Sequence, residues 1–425
     1  MPEREAVVFG FLQQSCGEER ILSAEGRSKG VTTESPWMVF LVFLRLGLTS
    51  FGGPIAHLAY FREEFVARRQ WLSERSYGDL IALCQFLPGP ASSQVGIGLG
   101  LSRAGVPGAV AAWAGFTLPS ATILVLFAQG MSSWGRALPS GLLHGLKIVA
   151  VAVVAQAVWG MGRSLCNDAP RITIAVFAAY AALLWPHAWG QIGVIFFGAV
   201  IGLMLFKTDQ SQTTESLPIP VSRKVGVVSL LLFFGLLAGL PLLVQLWPSQ
   251  ALAVVNAFFR AGSLVFGGGH VVLPLLQSAT VPNGWVANDT FLAGYGLAQA
   301  VPGPLFTFAA FLGASMNAQP SGWLGATACV VAIFAPSFLL VIGVLPFWEQ
   351  LRKSLRTQAA LSGVNAAVVG LLLAALYNPV WTSAILIPAD FGLALIALVA
   401  LMFWKAPPWL VVLVGGLLGW FAPML

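Results

Sequence analysis

Apolar residues run in stretches of about twenty from Trp37 to the end of the chain, with almost no charge inside them. A helix of about 20 apolar residues crosses the ~30 Å hydrocarbon layer of a membrane. The stretches fall at 37–60, 77–101, 106–130, 142–162, 171–186 and 189–206. A polar linker from Lys207 to Lys224 follows, then a lone apolar stretch at 225–247. Six more lie at 252–280, 290–316, 322–348, 360–377, 383–404 and 408–424. The pattern predicts an all-α, polytopic integral membrane protein in four parts. These are a tail (1–36), a first unit (37–206), a linker with one connecting transmembrane helix (207–251) and a second unit (252–425).

The two sets of six match in order, at an offset of 214–218 residues. Phe43-Leu44-Arg45 matches Phe258-Phe259-Arg260, Gly47 matches Gly262, Trp71 matches Trp285, and Gln85 matches Gln299. Gly108 matches Gly325, Pro119-Ser120 matches Pro336-Ser337, and Gly145 matches Gly363. Gly198-x-x-x-Gly202 matches Gly415-x-x-x-Gly419. This is the signature of duplication. Six crossings return the chain to its starting side, so the extra segment turns the second unit upside down. That is the inverted-repeat plan of many secondary transporters.

Each unit breaks its first two apolar stretches with glycine and proline. The first has Phe51-Gly52-Gly53-Pro54 and Leu87-Pro88-Gly89-Pro90; the second has Phe266-Gly267-Gly268-Gly269 and Val301-Pro302-Gly303-Pro304. A broken helix leaves backbone N–H and C=O groups without partners, and lipid cannot satisfy them. Such backbone must be buried in protein or line a polar cavity. Proline at the first position of a restarting helix costs no hydrogen bond. The restarting helix aims free N–H groups and a positive dipole end at the break. Four breaks meeting near the midplane would make a site for an anion with several oxygens. A simple kink is the alternative for any one of them.

Composition and charge sharpen the class. The chain is 57% hydrophobic and 9% charged, where soluble domains average about a quarter charged. The net charge of +6 lies mostly in loops, where it orients a membrane protein, so nucleic acid is not an expected partner. If every stretch crosses with the N-terminus inside, the basic loop holding Arg62, Arg68, Arg69 and Arg75 falls outside. If instead the first two stretches of each unit enter, break and leave on the same side, 18 of the 19 Lys and Arg outside apolar stretches fall inside. Arg136 is the exception, and the loops 281–289 and 317–321 carry no Lys or Arg. Re-entrant or broken-helix hairpins are therefore expected. Residues 1–36 lack the apolar core of a signal peptide and read as a cytoplasmic tail. Cys16, Cys84, Cys166 and Cys329 form no CxxC, and the four histidines are scattered, so no metal or other cofactor is expected. No catalytic triad, phosphate loop or nucleotide motif is visible, so an enzyme is not expected.

The candidate substrate site starts with Arg45 and Arg260, each six residues before its Phe-Gly-Gly. A cation inside an apolar stretch costs roughly 2.5–3.5 kcal/mol and usually faces a cavity, a carboxylate or a bound anion. Snorkelling to the interface, or pairing with carbonyls at a helix end, is the structural alternative. Backbone N–H groups at Gly52, Gly53, Gly89, Gly267, Gly268 and Gly303 would supply directed hydrogen bonds. Gln85, Ser92, Gln299 and Thr307, with Thr49, Ser50, Ser93 and Gln94 nearby, add neutral donors, although Ser and Thr also back-bond within helices. Arg68, Arg69 and Lys147 are candidates for an anion entrance; a solvated salt-bridged face or an interfacial anchor is the alternative.

The run Ser50-Phe-Gly-Gly-Pro-Ile-Ala-His57, then Trp71-Leu72 and Cys84-Gln-Phe-Leu-Pro-Gly-Pro-Ala-Ser-Ser-Gln-Val-Gly96, resembles the chromate ion transporter (CHR) family. Phe266-Gly-Gly-Gly-His270, Leu273-Pro274 and Gln299-Ala-Val-Pro-Gly-Pro304 resemble its second domain. The resemblance covers about 37–425, the two-domain long form. It implies export of chromate from the cytoplasm of a bacterial cell across its inner membrane, driven by membrane potential or a proton gradient, and chromate resistance. Sulfate is the structural analogue and alternative substrate. Partners are then chromate, membrane lipid and a candidate second copy of the chain. A lipid-phosphate flippase or membrane enzyme with re-entrant hairpins is the rival reading, and an anion channel a third.

Overall fold

A computed structural model describes residues 34–51, 53–133, 140–186, 188–206, 217, 219, 221–266 and 269–421. The tail before residue 34, Cys16, Arg136, most of the polar linker, and Gly52, Gly267 and Gly268 lie outside the described residues. All regular elements among the described residues are helical.

The first two apolar stretches do not form continuous helices. Helix α1 (Pro36–Thr49) starts where the Ser35 side chain accepts from Met38 N–H, with Pro36 at its first position. Its 14 residues reach only about 21 Å, short of a full crossing. After the Phe-Gly-Gly break, α2 (Gly53–Arg62) runs on into a π-helical turn (Glu63–Arg68). Phe43 of α1 packs on Phe61 and Phe65, with ring centroids 5.5 and 4.9 Å apart. Aromatic rings from either side of the break thus pack on one another. Helix α3 (Glu74–Phe86), capped by Ser73, ends at the first Pro-Gly-Pro, and α4 (Ala91–Ser133) begins after it with a kink at Ala104 and Gly105.

Helices α5 (Ser140–Leu165), α6 (Ala169–Leu184) and α7 (Ala188–Leu205) complete the first unit. Helix α8 (Arg223–Leu246) follows, with Val228, Leu231, Phe234 and Leu242 exposed, a surface suited to lipid. Helix α9 (Gln250–Leu264) stops at Phe-Gly-Gly-Gly, and a 3₁₀ turn (Gly269–Val271) leads to α10 (Val272–Thr280). Helix α11 (Asn288–Ala300) stops at the second Pro-Gly-Pro, and a turn (Leu305–Thr307) leads to α12 (Phe308–Ala314). Then come α13 (Gly322–Val344), the short α14 (Trp348–Arg352), α15 (Leu355–Ala375), α16 (Pro388–Met402) and α17 (Pro408–Phe421). Among the described residues, five helical runs are long and apolar enough to span a membrane: 91–131, 141–165, 223–246, 322–352 and 355–384.

The two units are interleaved. Gly198 and Gly202 of α7 lie against Gly363 of α15, while Gly415 and Gly419 of α17 lie against Gly145 of α5. A Gly-x-x-x-Gly face in each unit thus lets its helix approach a glycine of the other. A buried ion pair also crosses between units. Arg352 Nη1 on α14 donates to Asp79 Oδ1 on α3 at 2.7 Å, with 15% and 5% of the side chains exposed.

Candidate functional site

The four helix breaks are joined in two pairs through the backbone. The Gly89 N–H donates to the Val265 carbonyl at 2.7 Å, and the Gly303 N–H donates to the Ser50 carbonyl at 3.0 Å. Val265 and Ser50 immediately precede the two Phe-Gly-Gly motifs. Each Pro-Gly-Pro is therefore tied to the Phe-Gly-Gly of the other unit, which satisfies carbonyls that the ended helices leave without partners. The two glycines have φ of +126° and +105°, where only glycine is unstrained. Their open faces look onto matching serines, Gly89 onto Ser337 of α13 and Gly303 onto Ser120 of α4.

A polar cavity of about 90 Å³ opens at this junction, enough for a few waters or one small oxyanion. Gly53 and Pro54 bring the N-terminus of α2 to its wall. Ala298, Gln299 and Val301 come from the end of α11, Gly303 and Leu305 from the break beyond it, and His270 from the turn after Phe-Gly-Gly-Gly. Val153 and Gln156 of α5 and Pro408 of α17 close it. No Lys, Arg, Asp or Glu lines it. Gln299 has a buried Nε2, and its side chain lies beside the Tyr295 hydroxyl. His270 Nδ1 lies 2.8 Å from the Tyr295 hydroxyl. Larger grooves of about 230 and 840 Å³, along α5, α16 and α17 and along α6 and α7, are lined almost wholly by apolar side chains.

Of the residues singled out from the sequence, Gly53, Gln299 and Gly303 come together in this cavity. The Gly89 and Gly303 amides are engaged by the backbone bonds between units, so in this conformation they hold the breaks together. Ser92 Oγ lies 3.4 Å from His57 Nδ1, whose other ring nitrogen is 3.2 Å from the Ser50 carbonyl. Thr307 donates back to the Pro304 carbonyl at 2.7 Å. Gln85 is exposed on α3, unlike its counterpart Gln299. Arg45 is exposed on α1, Arg260 is half-buried on α9, and neither lines the cavity. Ser50, Ser93, Gln94, Thr117 and Ser337 each keep a buried side-chain oxygen without a partner near the breaks.

The entrance candidates pair with carboxylates. Glu64, 7% exposed, accepts from Arg68 at 2.6 Å and Arg69 at 2.7 Å. Burial pushes the Glu64 carboxyl up, but Arg69, Arg68 and the nearby Arg45 together hold it below the usual carboxylate range. Lys147, 8% exposed on α5, reaches Asp289 at the start of α11 at 3.0 Å. Three turns of α5 and α11 thus bear on the cavity at one end and on this ion pair at the other.

His270, Gln156 and Tyr295 were not picked out as site residues from the sequence. For His270 the signal was present, since it directly follows the Phe-Gly-Gly-Gly break; nothing local marks Gln156.

The family described as chromate transporter matches residues 37–203 and again 252–420. A chromate transport protein of Pseudomonas aeruginosa is 30% identical over 395 residues, covering 90% of this chain and 91% of that protein. A chromate transport protein of Cupriavidus metallidurans is 24% identical, covering 90% and 92%. An uncharacterized transporter of Methanocaldococcus jannaschii is 27% identical, covering 79% and 82%. Each match to the family takes in one Phe-Gly-Gly and one Pro-Gly-Pro break, and this multi-pass membrane protein belongs to the chromate transporter family.

Proposed function

We propose that the protein is a secondary transporter that exports chromate from the bacterial cytoplasm across the inner membrane and so confers chromate resistance. Two inverted repeats, 37–206 and 252–425, would carry out alternating access around the polar cavity at their junction. The observation that carries the site is the cavity of neutral polar groups, Gln156, His270 and Gln299 among them, at the junction of the helix breaks. The side chains of Gln156, His270 and Gln299 offer N–H donors to a tetrahedral oxyanion, and the N-terminus of α2 at Gly53 and Pro54 favours negative charge beside them. Arg45, Arg68 and Arg69 around Glu64 form the cytoplasmic mouth, where a basic cluster concentrates anions. Arg260 adds positive charge on α9.

Gln299→Leu is expected to weaken chromate binding about 10- to 100-fold, the loss of a buried hydrogen bond to a charged acceptor. The measurement is chromate binding by the purified protein, paired with uptake into inverted membrane vesicles, which reports export. Unchanged affinity in the folded variant would place the anion elsewhere. Sulfate competing as well as chromate would make this a general oxyanion carrier. Binding of a polyprenyl phosphate, with neither anion bound, would favour the flippase reading.

The hairpin orientation has its own check. Single cysteines beside Arg68 and beside Arg103 should both be shielded from an impermeant thiol reagent added outside. Cysteines at Asn283 and Gln319 should both react. Labelling at the Arg68 position alone of the first pair would mean that the first hairpin crosses the membrane.

A further inference from the structure

We infer that His270 balances the substrate's charge, its ring taking one proton from water as a doubly charged oxyanion occupies the cavity and returning it as the anion leaves. The inference rests on the anion cavity proposed above and names the group that makes that cavity able to hold two negative charges. Desolvating a divalent anion without countercharge is prohibitive, and a helix N-terminus supplies only about half a charge. Neither Arg45 nor Arg260 lines the cavity, and among the described residues His270 is the one ionisable side chain in its wall.

The ring is built for two states. Its Nδ1 faces the hydroxyl of Tyr295, which is fully buried among α11 and α12. In the neutral ring the phenol donates to Nδ1, and Nε2 carries the hydrogen. In the protonated ring Nδ1–H donates instead and the phenol oxygen accepts. A phenol can serve both states because it is donor and acceptor at once. Nε2 has no protein partner among the described residues and is free for an anion in the cavity. Gln299, one turn beyond Tyr295, lies beside the same hydroxyl. Tyr295 is thus a positioning residue, and His270 and Gln299 are the groups that touch the anion.

The surroundings leave the proton to this ring. The turn carrying His270 packs on α10, α15 and the Leu305–Thr307 turn. Of these only α15 carries an ionisable residue, Arg356, in its first turn. On the elements that wall the cavity, α5 contributes His144, Lys147 and Arg163; His144 is engaged with Asp390 and Lys147 with Asp289. Helix α2 contributes His57, held between the Ser50 carbonyl and Ser92, together with exposed Tyr60 and Arg62. Helix α11 contributes Asp289 and Tyr295, while α12 and α17 contribute none. Tyr295 is the ionisable side chain in contact with the ring.

The test is calorimetric titration of the purified full-length protein in nanodiscs with sulfate and with chromate. It is run at several pH values between 6 and 8, in two buffers of different ionisation enthalpy. Sulfate stays doubly charged throughout, whereas chromate takes a proton of its own at the acid end, so sulfate isolates the protein's proton. Wild type is expected to take up close to one proton per anion, with affinity weakening about tenfold per pH unit once the free ring is neutral. His270→Gln should bind more weakly, with no proton uptake and no pH dependence. Tyr295→Phe removes the acceptor of the protonated ring and should move the same curve to lower pH. Wild-type binding without proton exchange, or undiminished uptake in His270→Gln, overturns the inference and leaves the cavity standing. No anion binding by wild type at any pH overturns the cavity as well. Should His270→Gln fail to fold, an unshifted curve in Tyr295→Phe overturns the inference by itself.

Discussion

Gly303→Ala is expected to abolish transport and to destabilise the purified protein by several kcal/mol. At φ +105° a side chain brings strain of about 1–3 kcal/mol. Its Cβ would also sit 2.8 Å from Ser120 Oγ and 3.3 Å from the Phe116 carbonyl oxygen. Overpacking of that kind costs about 1–3 kcal/mol more. The φ strain is relieved only by moving the break, which pulls the Gly303 N–H from the Ser50 carbonyl and distorts the cavity wall. Gly89→Ala should behave alike, since at φ +126° its Cβ would meet Gln94 Nε2 at 2.6 Å and Ser337 Oγ at 2.9 Å. Adding Ser120→Ala to Gly303→Ala should recover part of the melting temperature, because the clash eases and the φ strain stays. The readouts are vesicle flux and thermal unfolding in detergent. Wild-type flux in Gly303→Ala would show that the working protein does not hold the break in this geometry.

Asp79→Asn is expected to cost about 1.5–3 kcal/mol, the loss of a charge-assisted hydrogen bond between a buried carboxylate and the partly buried Arg352. Replacing both partners with apolar residues, Asp79→Leu with Arg352→Met, should cost less than the two single changes added together, since both ends of one bond are removed at once. Glu74→Gln serves as the contrast. Its partner Arg62 is fully solvated, so unfolding should show no measurable change. If Asp79→Asn melts with wild type, the α3–α14 bond between units does not carry stability. The same variants bear on transport, because α3 ends at the first Pro-Gly-Pro and α14 follows the long helix that faces it.

The sequence by itself determined where the helices end. Glycine and proline act on the backbone within a residue or two, so Phe51 to Pro54 and Val301 to Pro304 mark breaks whatever surrounds them. Membrane class and the order of the elements were equally legible, because about 20 apolar residues in a row have few other outcomes. What the tertiary structure decided was which groups face one another. Gln85 and Gln299 hold the same place before Pro-Gly-Pro, yet one is exposed and the other lines the cavity beside Tyr295. Arg45 looked like the natural anion ligand, but its side of α1 is open, and the charge in reach is Glu64. His270 and Gln156 meet in one wall though 114 positions apart, and Asp79 finds Arg352 across 273. Such pairings depend on how the two units interleave, through Gly363 against Gly198 and Gly145 against Gly415. Local preference dictates where a helix stops, but the direction in which its side chains look is set by packing between segments far apart in the chain.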